Sequence, residues 1–80
     1  MQTIKDFLNK IKWDDKIKKE DYAIHYLDNI TKKLEPVKFI DIKRLEGTFI
    51  VLDRDGEETY IPMHRIREVR EKAKPVWKRH

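Results

Sequence analysis

Apolar residues recur at Ile4, Phe7, Leu8 and Ile11, the i, i+3, i+4, i+7 spacing that puts four side chains on one face of a helix. The spacing predicts a helix from about residue 3 to residue 12, capped by Thr3, with Asp6 near the positive end of its dipole and its apolar face in the core. Trp13 falls at the helix end. From Asp14 to Asp21 the rhythm stops, Ile17 is the lone apolar residue, and a loop is predicted.

The periodicity then changes from helical to alternating. Tyr22, Ile24 and Tyr26 share one side of an extended segment and Ala23, His25 and Leu27 the other, which predicts a strand over 22–28 closed by a turn at Asp28-Asn29. A second extended piece begins near Leu34, because the residue before Pro36 is pushed out of helical geometry. Gly47 punctuates the chain ahead of Thr48-Phe-Ile-Val-Leu-Asp53, the strongest strand by its β-branched and aromatic content. Asp55-Gly56 predicts a tight hairpin, with Glu58-Thr-Tyr-Ile61 as the returning strand.

Val37-Lys-Phe-Ile-Asp-Ile-Lys-Arg-Leu45 is echoed by Ile61-Pro-Met-His-Arg-Ile-Arg-Glu-Val69: positions one, three, six and nine are apolar in both, and the seventh is basic. Period two giving way to period three predicts a strand, one tight helical turn and a resumed element, used twice. After Pro62 two readings compete. Met63, Ile66, Val69 and Ala73 would serve a helix over 62–73. Pro75-Val-Trp-Lys-Arg79, however, reads as an edge strand that needs an antiparallel neighbour close in sequence. The preferred reading is one turn at 62–65, a strand from 66 to about 71, a turn at 72–74 and a final strand.

Together these elements predict one α+β domain over residues 1–80: an N-terminal helix packed on a bent antiparallel sheet or small partly open barrel of about five or six strands. Eighty residues bury only about 60% of their unfolded surface, so a deep enclosed active site is not expected. No apolar run is long enough to cross a bilayer and no signal-peptide pattern is present, so the cytoplasm is the expected location. The absence of cysteine and serine removes disulfides, thiol chemistry and serine triads.

The net charge of +4 is concentrated: residues 62–80 hold seven basic side chains against two acidic ones, +5 by themselves. An anionic partner such as nucleic acid is expected for that tail. Elsewhere the abundant lysine and glutamate are also what a heat-adapted surface with ion networks carries. Within the tail, His64 and Arg65 follow Pro62 at a turn on the sheet rim. Arginine offers a planar donor fork that matches phosphate, and histidine can donate to phosphate or move a proton; a histidine packed on its own turn is the plainer alternative. Trp77 and Trp13 could each stack on a base or serve the core. Lys12, Arg67, Lys78 and Arg79 would add phosphate contacts if they shared that face. No metal or cofactor is expected: His25, His64 and His80 are isolated, Asp53-Arg-Asp55-Gly56 has the wrong spacing for a calcium loop, and two glycines cannot build a phosphate loop.

Four stretches, Ile11-Lys-Trp-Asp14, Tyr26-Leu-Asp28, Val37-Lys-Phe-Ile-Asp-Ile42, and Ile61-Pro-Met-His-Arg-Ile66 with Val76-Trp-Lys-Arg79, resemble a small archaeal family proposed to be the RNA cyclic-group end recognition domain. The resemblance implies binding to RNA ends that carry a 2′,3′-cyclic phosphate or a 2′-phosphate. His64 and Arg65 would be the polar heart of the site, with Trp13, Asp14, Asp28, Trp77 and Arg79 as further matching positions. Asn29 and Lys78 depart from the pattern, where the family often has an arginine and some members an acid. The expected function is a non-catalytic RNA-end binding module. Its alternatives are an RNA-end phosphodiesterase using His64 as acid or base, and a basic protein-interaction domain.

Overall fold

A computed structural model describes residues 3–79. Helix α1 spans Ile4–Trp13; Thr3 is its N-cap, accepting from the Asp6 amide at 3.2 Å, and it buries Ile4, Leu8 and Ile11. Seven strands follow: β1 (Tyr22–Leu27), β2 (Leu34–Lys38), β3 (Ile42–Glu46), β4 (Phe49–Arg54), β5 (Glu57–Pro62), β6 (Ile66–Glu71) and β7 (Lys74–Lys78). They form two antiparallel sheets, ordered β2-β1-β6-β7 and β3-β4-β5, which are not closed into a barrel. The α+β class with a covering helix is as expected, with seven strands where five or six were expected. The loop before β1 contains one 3-10 turn, Lys19–Asp21.

The repeated motif explains the split into two sheets. Chain passes from the first sheet to the second through a 3-10 turn at Phe39–Asp41, and returns through another at Met63–Arg65. The residues flanking each turn are alike: Lys38 has φ −69°, ψ 137° and Pro62 −61°, 135°, and in each case the next strand's first amide, Ile42 or Ile66, donates back to the turn's first carbonyl. Phe39 and Met63, the first residues of the two turns, are both buried. The helix reading of 62–73 is excluded by this turn and by the β6–β7 ladder.

One core joins all three layers. Leu8 and Ile11 meet Ile24, Ile66 and Val69 of the larger sheet and Ile50, Leu52 and Ile61 of the smaller. Each such side chain contributes about 1.5–3 kcal/mol by leaving water, so the helix face alone is a large share of the stability of so small a domain. On the other side of the small sheet, Val51 lies in register between Arg44 and Tyr60 and is fully buried. There Arg44 donates to Glu58 at 2.8 Å, Glu46 at 2.9 Å and the Tyr60 hydroxyl at 3.1 Å, while Lys43 lies 2.9 Å from Glu58. Arg44 and Lys43 hold the Glu58 carboxyl down at about 2, and the Glu58 and Glu46 carboxylates in turn push Arg44 up. Charges outside the tail thus include a built ion network.

Candidate functional site

The turn that returns the chain to the larger sheet carries His64 and Arg65. So short a helix leaves main-chain carbonyls with acceptor capacity to spare, the Met63 carbonyl already taking the Ile66 amide, and nearby arginines donate to them. Arg67 Nη1 donates to the His64 carbonyl at 2.6 Å; Arg79 donates through Nη2 to the Met63 carbonyl at 3.1 Å and through Nε to the Ile66 carbonyl at 2.9 Å. The Arg79 amide also reaches the Arg67 carbonyl at 2.9 Å, extending the β6–β7 ladder past Lys78. Two guanidinium groups therefore pin the main chain beneath the His64-Arg65 pair.

Trp77 supports this clamp. Paired with Val69, it is half-buried against the core, and the Arg79 guanidinium lies 5.4 Å from its ring centroid. Stacking on an aromatic face steadies a guanidinium while it donates in its own plane. By contrast, His64 is exposed and Arg65 half-buried, and neither side chain hydrogen-bonds to another described residue. Pinned main chain below and unengaged donors above make a rim that can present a cation and an imidazole to an anion.

The neighbouring turn after β1 is equally fixed. Asp28 Oδ1 accepts from the Ile30 amide at 2.7 Å and the Thr31 amide at 3.1 Å, and the main chain closes through Lys32 N to Asp28 O at 2.9 Å. Register brings this turn to the same end of the sheet, since Tyr26 pairs with Ile66. The Asp28 carboxyl is lowered first by the Thr31 and Ile30 amides, with burial opposing, and then by the positive charge of Arg65. Lys78 stands at the same end of the sheet, paired with Glu68.

Trp13 and Lys12 lie elsewhere. Lys12 lines a 280 Å³ cleft with Lys19, Phe39, Ile40, Ile42, Arg44 and Leu45. That cleft adjoins the start of β1, where Ala23 pairs with Lys38 just before Phe39, whereas His64 and Arg65 adjoin its end. Trp13 is 75% exposed, with Lys12 Nζ 5.6 Å from its ring centroid. Of the expected site residues, His64, Arg65, Arg67, Trp77, Lys78 and Arg79 gather at one end of the larger sheet, and Lys12 and Trp13 do not join them. The turn-holding roles of Arg67 and Arg79 were not foreseen. Among the described residues no cluster of histidines and acids could hold a metal; His80 lies outside them.

These features define a small α+β domain with a pinned, cation-bearing turn on the rim of its larger sheet. The chain belongs to the family described as the MJ1316 RNA cyclic group end recognition domain, whose model matches residues 1–79. It is 37% identical to a UPF0248 protein of Saccharolobus solfataricus over 79 residues, covering 95% of each chain. It is 40% identical to one of Metallosphaera sedula over 77 residues, covering 96% of this chain and 92% of that one. A Saccharolobus islandicus relative is 32% identical, with 95% of this chain and 98% of the other covered. No solved structure matches.

Proposed function

We propose that this chain is a cytoplasmic, non-catalytic module that binds RNA ends bearing a 2′,3′-cyclic phosphate or a 2′-phosphate. The observation that carries the reading is the pinned turn: His64 and Arg65 are held at the rim by main-chain anchors, with their own donors unengaged by the described residues. Arg65 offers two parallel N–H groups to the phosphate and His64 a further donor. Arg67 and Arg79 act through the turn, and Lys78 adds positive field. The family's description supports the choice of ligand. Trp77 serves as the bed of Arg79 rather than as a stacking platform.

The test is affinity at one fixed salt concentration for matched oligonucleotides ending in cyclic phosphate, 2′-phosphate or plain hydroxyl, with wild type and Arg65→Ala. Preference for the phosphorylated ends, lost in the variant, is expected. Equal affinity for all three ends would overturn end recognition. Turnover of the cyclic end by wild type that disappears in His64→Ala would overturn the non-catalytic part.

A further inference from the structure

The larger sheet buries one face against α1 and the smaller sheet; on its other face Pro36, Lys38, Pro75 and Lys78 are exposed and Ala23, His25 and Arg70 half-buried. Ile24, Val37 and Val69 belong to the core, so their alternating neighbours project outward. The registers align these into two rows across the strands. Lys38, Ala23, Arg70 and Pro75 form one, and Pro36, His25, Glu68 and Lys78 the other. The second row is the nearer to the His64-Arg65 turn, because His25 adjoins Tyr26, which pairs with Ile66.

The chemistry of these rows is specific. Three cations stand against one carboxylate, and that carboxylate is already engaged: Glu68 is 8% exposed and accepts from Arg70 Nη2 at 3.2 Å. Glu68 thereby holds Arg70 along the sheet rather than letting it extend into water. His25 is half-buried, in register with Pro36 on one side and Glu68 on the other and two residues along the strand from Ala23. Burial, and then the Arg70 charge, lower its pKa, with Glu68 opposing, so the ring is neutral near pH 7 and offers a π-face rather than a charge.

We propose that this outer face carries the single-stranded RNA leading up to the bound end, with His25 as a stacking surface and Lys38, Arg70 and Lys78 as contacts for successive phosphates. The proposal rests on the RNA-end reading and extends it from the terminal group to the strand behind it. From Ala23 to Tyr26 the sheet runs about 10 Å, at ~3.3 Å per residue. Four-stranded sheets of this size accommodate two or three stacked bases on one face. A positive, partly apolar platform that ends at the phosphate rim suits a strand whose terminus is captured there; an acidic protein partner would have no need of the neutral ring. Sequence recognition is not built in, since stacking and phosphate contact are open to any base.

The experiment compares two lengths of cyclic-ended RNA, a dinucleotide and a hexanucleotide, by fluorescence anisotropy at fixed salt, each against its hydroxyl-ended counterpart. Wild type is expected to bind the hexanucleotide at least tenfold more tightly than the dinucleotide. His25→Ala should weaken the hexanucleotide about fivefold or more, and Lys38→Glu should weaken it and flatten its salt dependence. Both should leave the dinucleotide unchanged. Lys38 is exposed, so its variant tests the idea even if His25→Ala folds poorly. If cyclic ends are preferred but neither variant alters the length advantage, or wild type has none, the strand path is wrong and end recognition stands. If ends are not distinguished while the variants still erase the length advantage, the path survives and end recognition falls.

Discussion

Replacing Arg79 by lysine keeps the charge and removes the fork, which separates holding the turn from touching phosphate. In the native protein the guanidinium makes two hydrogen bonds to main-chain carbonyls, at 2.9 and 3.1 Å, and lies 5.4 Å from the Trp77 ring centroid. Two such bonds contribute about 0.5–1.5 kcal/mol each net of water, and the ring contact about 0.5–1 kcal/mol. A lysine ammonium can recover one bond at most, because its donors radiate from a single nitrogen. The expected loss is about 1–2 kcal/mol, or roughly 5–15 °C in the melting temperature of a domain of this size. Urea unfolding followed by circular dichroism measures it, with affinity for a cyclic-ended oligonucleotide determined on the same samples. An Arg79→Lys protein with an unchanged urea midpoint but weakened RNA binding would refute the clamp and make Arg79 a direct ligand.

Two other outcomes follow from the structure. The β6–β7 hairpin turns through Lys72 and Ala73 at φ 49° and 71°, a region in which a side chain is strained, whereas the β4–β5 hairpin has glycine at its second turn position. Ala73→Gly should raise stability by about 0.5–1 kcal/mol after the added freedom of the unfolded chain is counted; a lower melting temperature would contradict it. Glu58, held at about 2 against an ordinary 4.5, binds fewer protons folded than unfolded. Its contribution is present above about pH 4.5 and is lost as pH falls toward 2. The His25 pKa is also depressed, so its contribution is full above its ordinary 6.5 and declines as pH falls below that value. Glu58→Gln should flatten the acid limb of a stability–pH profile below 4.5 and leave the His25 limb intact, and an unaltered acid limb would count against the network.

The repeated nine-residue pattern disclosed both crossover turns because the rule behind it is local: an apolar residue every second position, then every third. The β6–β7 pairing was legible for a similar reason, since an edge strand with a proline needs a nearby partner. The division into two sheets was not legible, because a crossover and a hairpin bend look alike until the hydrogen-bond partners are known. A sequence displays the charge of the arginines but not the carbonyls within reach, so Arg67 and Arg79 read as phosphate ligands and their hydrogen bonds to the turn itself were not legible. Trp13 read as part of the same surface through its ring and the family resemblance, and Lys12 through its charge; the length of β1 separates the cleft that Lys12 lines from His64.

The two crossover turns also provide an internal control on what His64 and Arg65 are for. Both turns bury their first residue, Phe39 or Met63, and both return an amide to that residue's carbonyl. Their second and third residues differ in kind: Ile40 and Asp41 in one, His64 and Arg65 in the other, and the second residue is exposed in both. The same main-chain path thus forms over an isoleucine-aspartate pair, so the turn does not need histidine and arginine to exist. Met63→Ala should cost about 2–5 kcal/mol, as a truncated core side chain does. His64→Ala and Arg65→Ala should each stay within about 0.5 kcal/mol of wild type, as surface substitutions do. If binding of cyclic-ended RNA falls in those two variants while their urea midpoints hold, the pair is present for its chemistry. If their midpoints fall as far as that of Met63→Ala, His64 and Arg65 are parts of the turn, and the site must be sought on another surface.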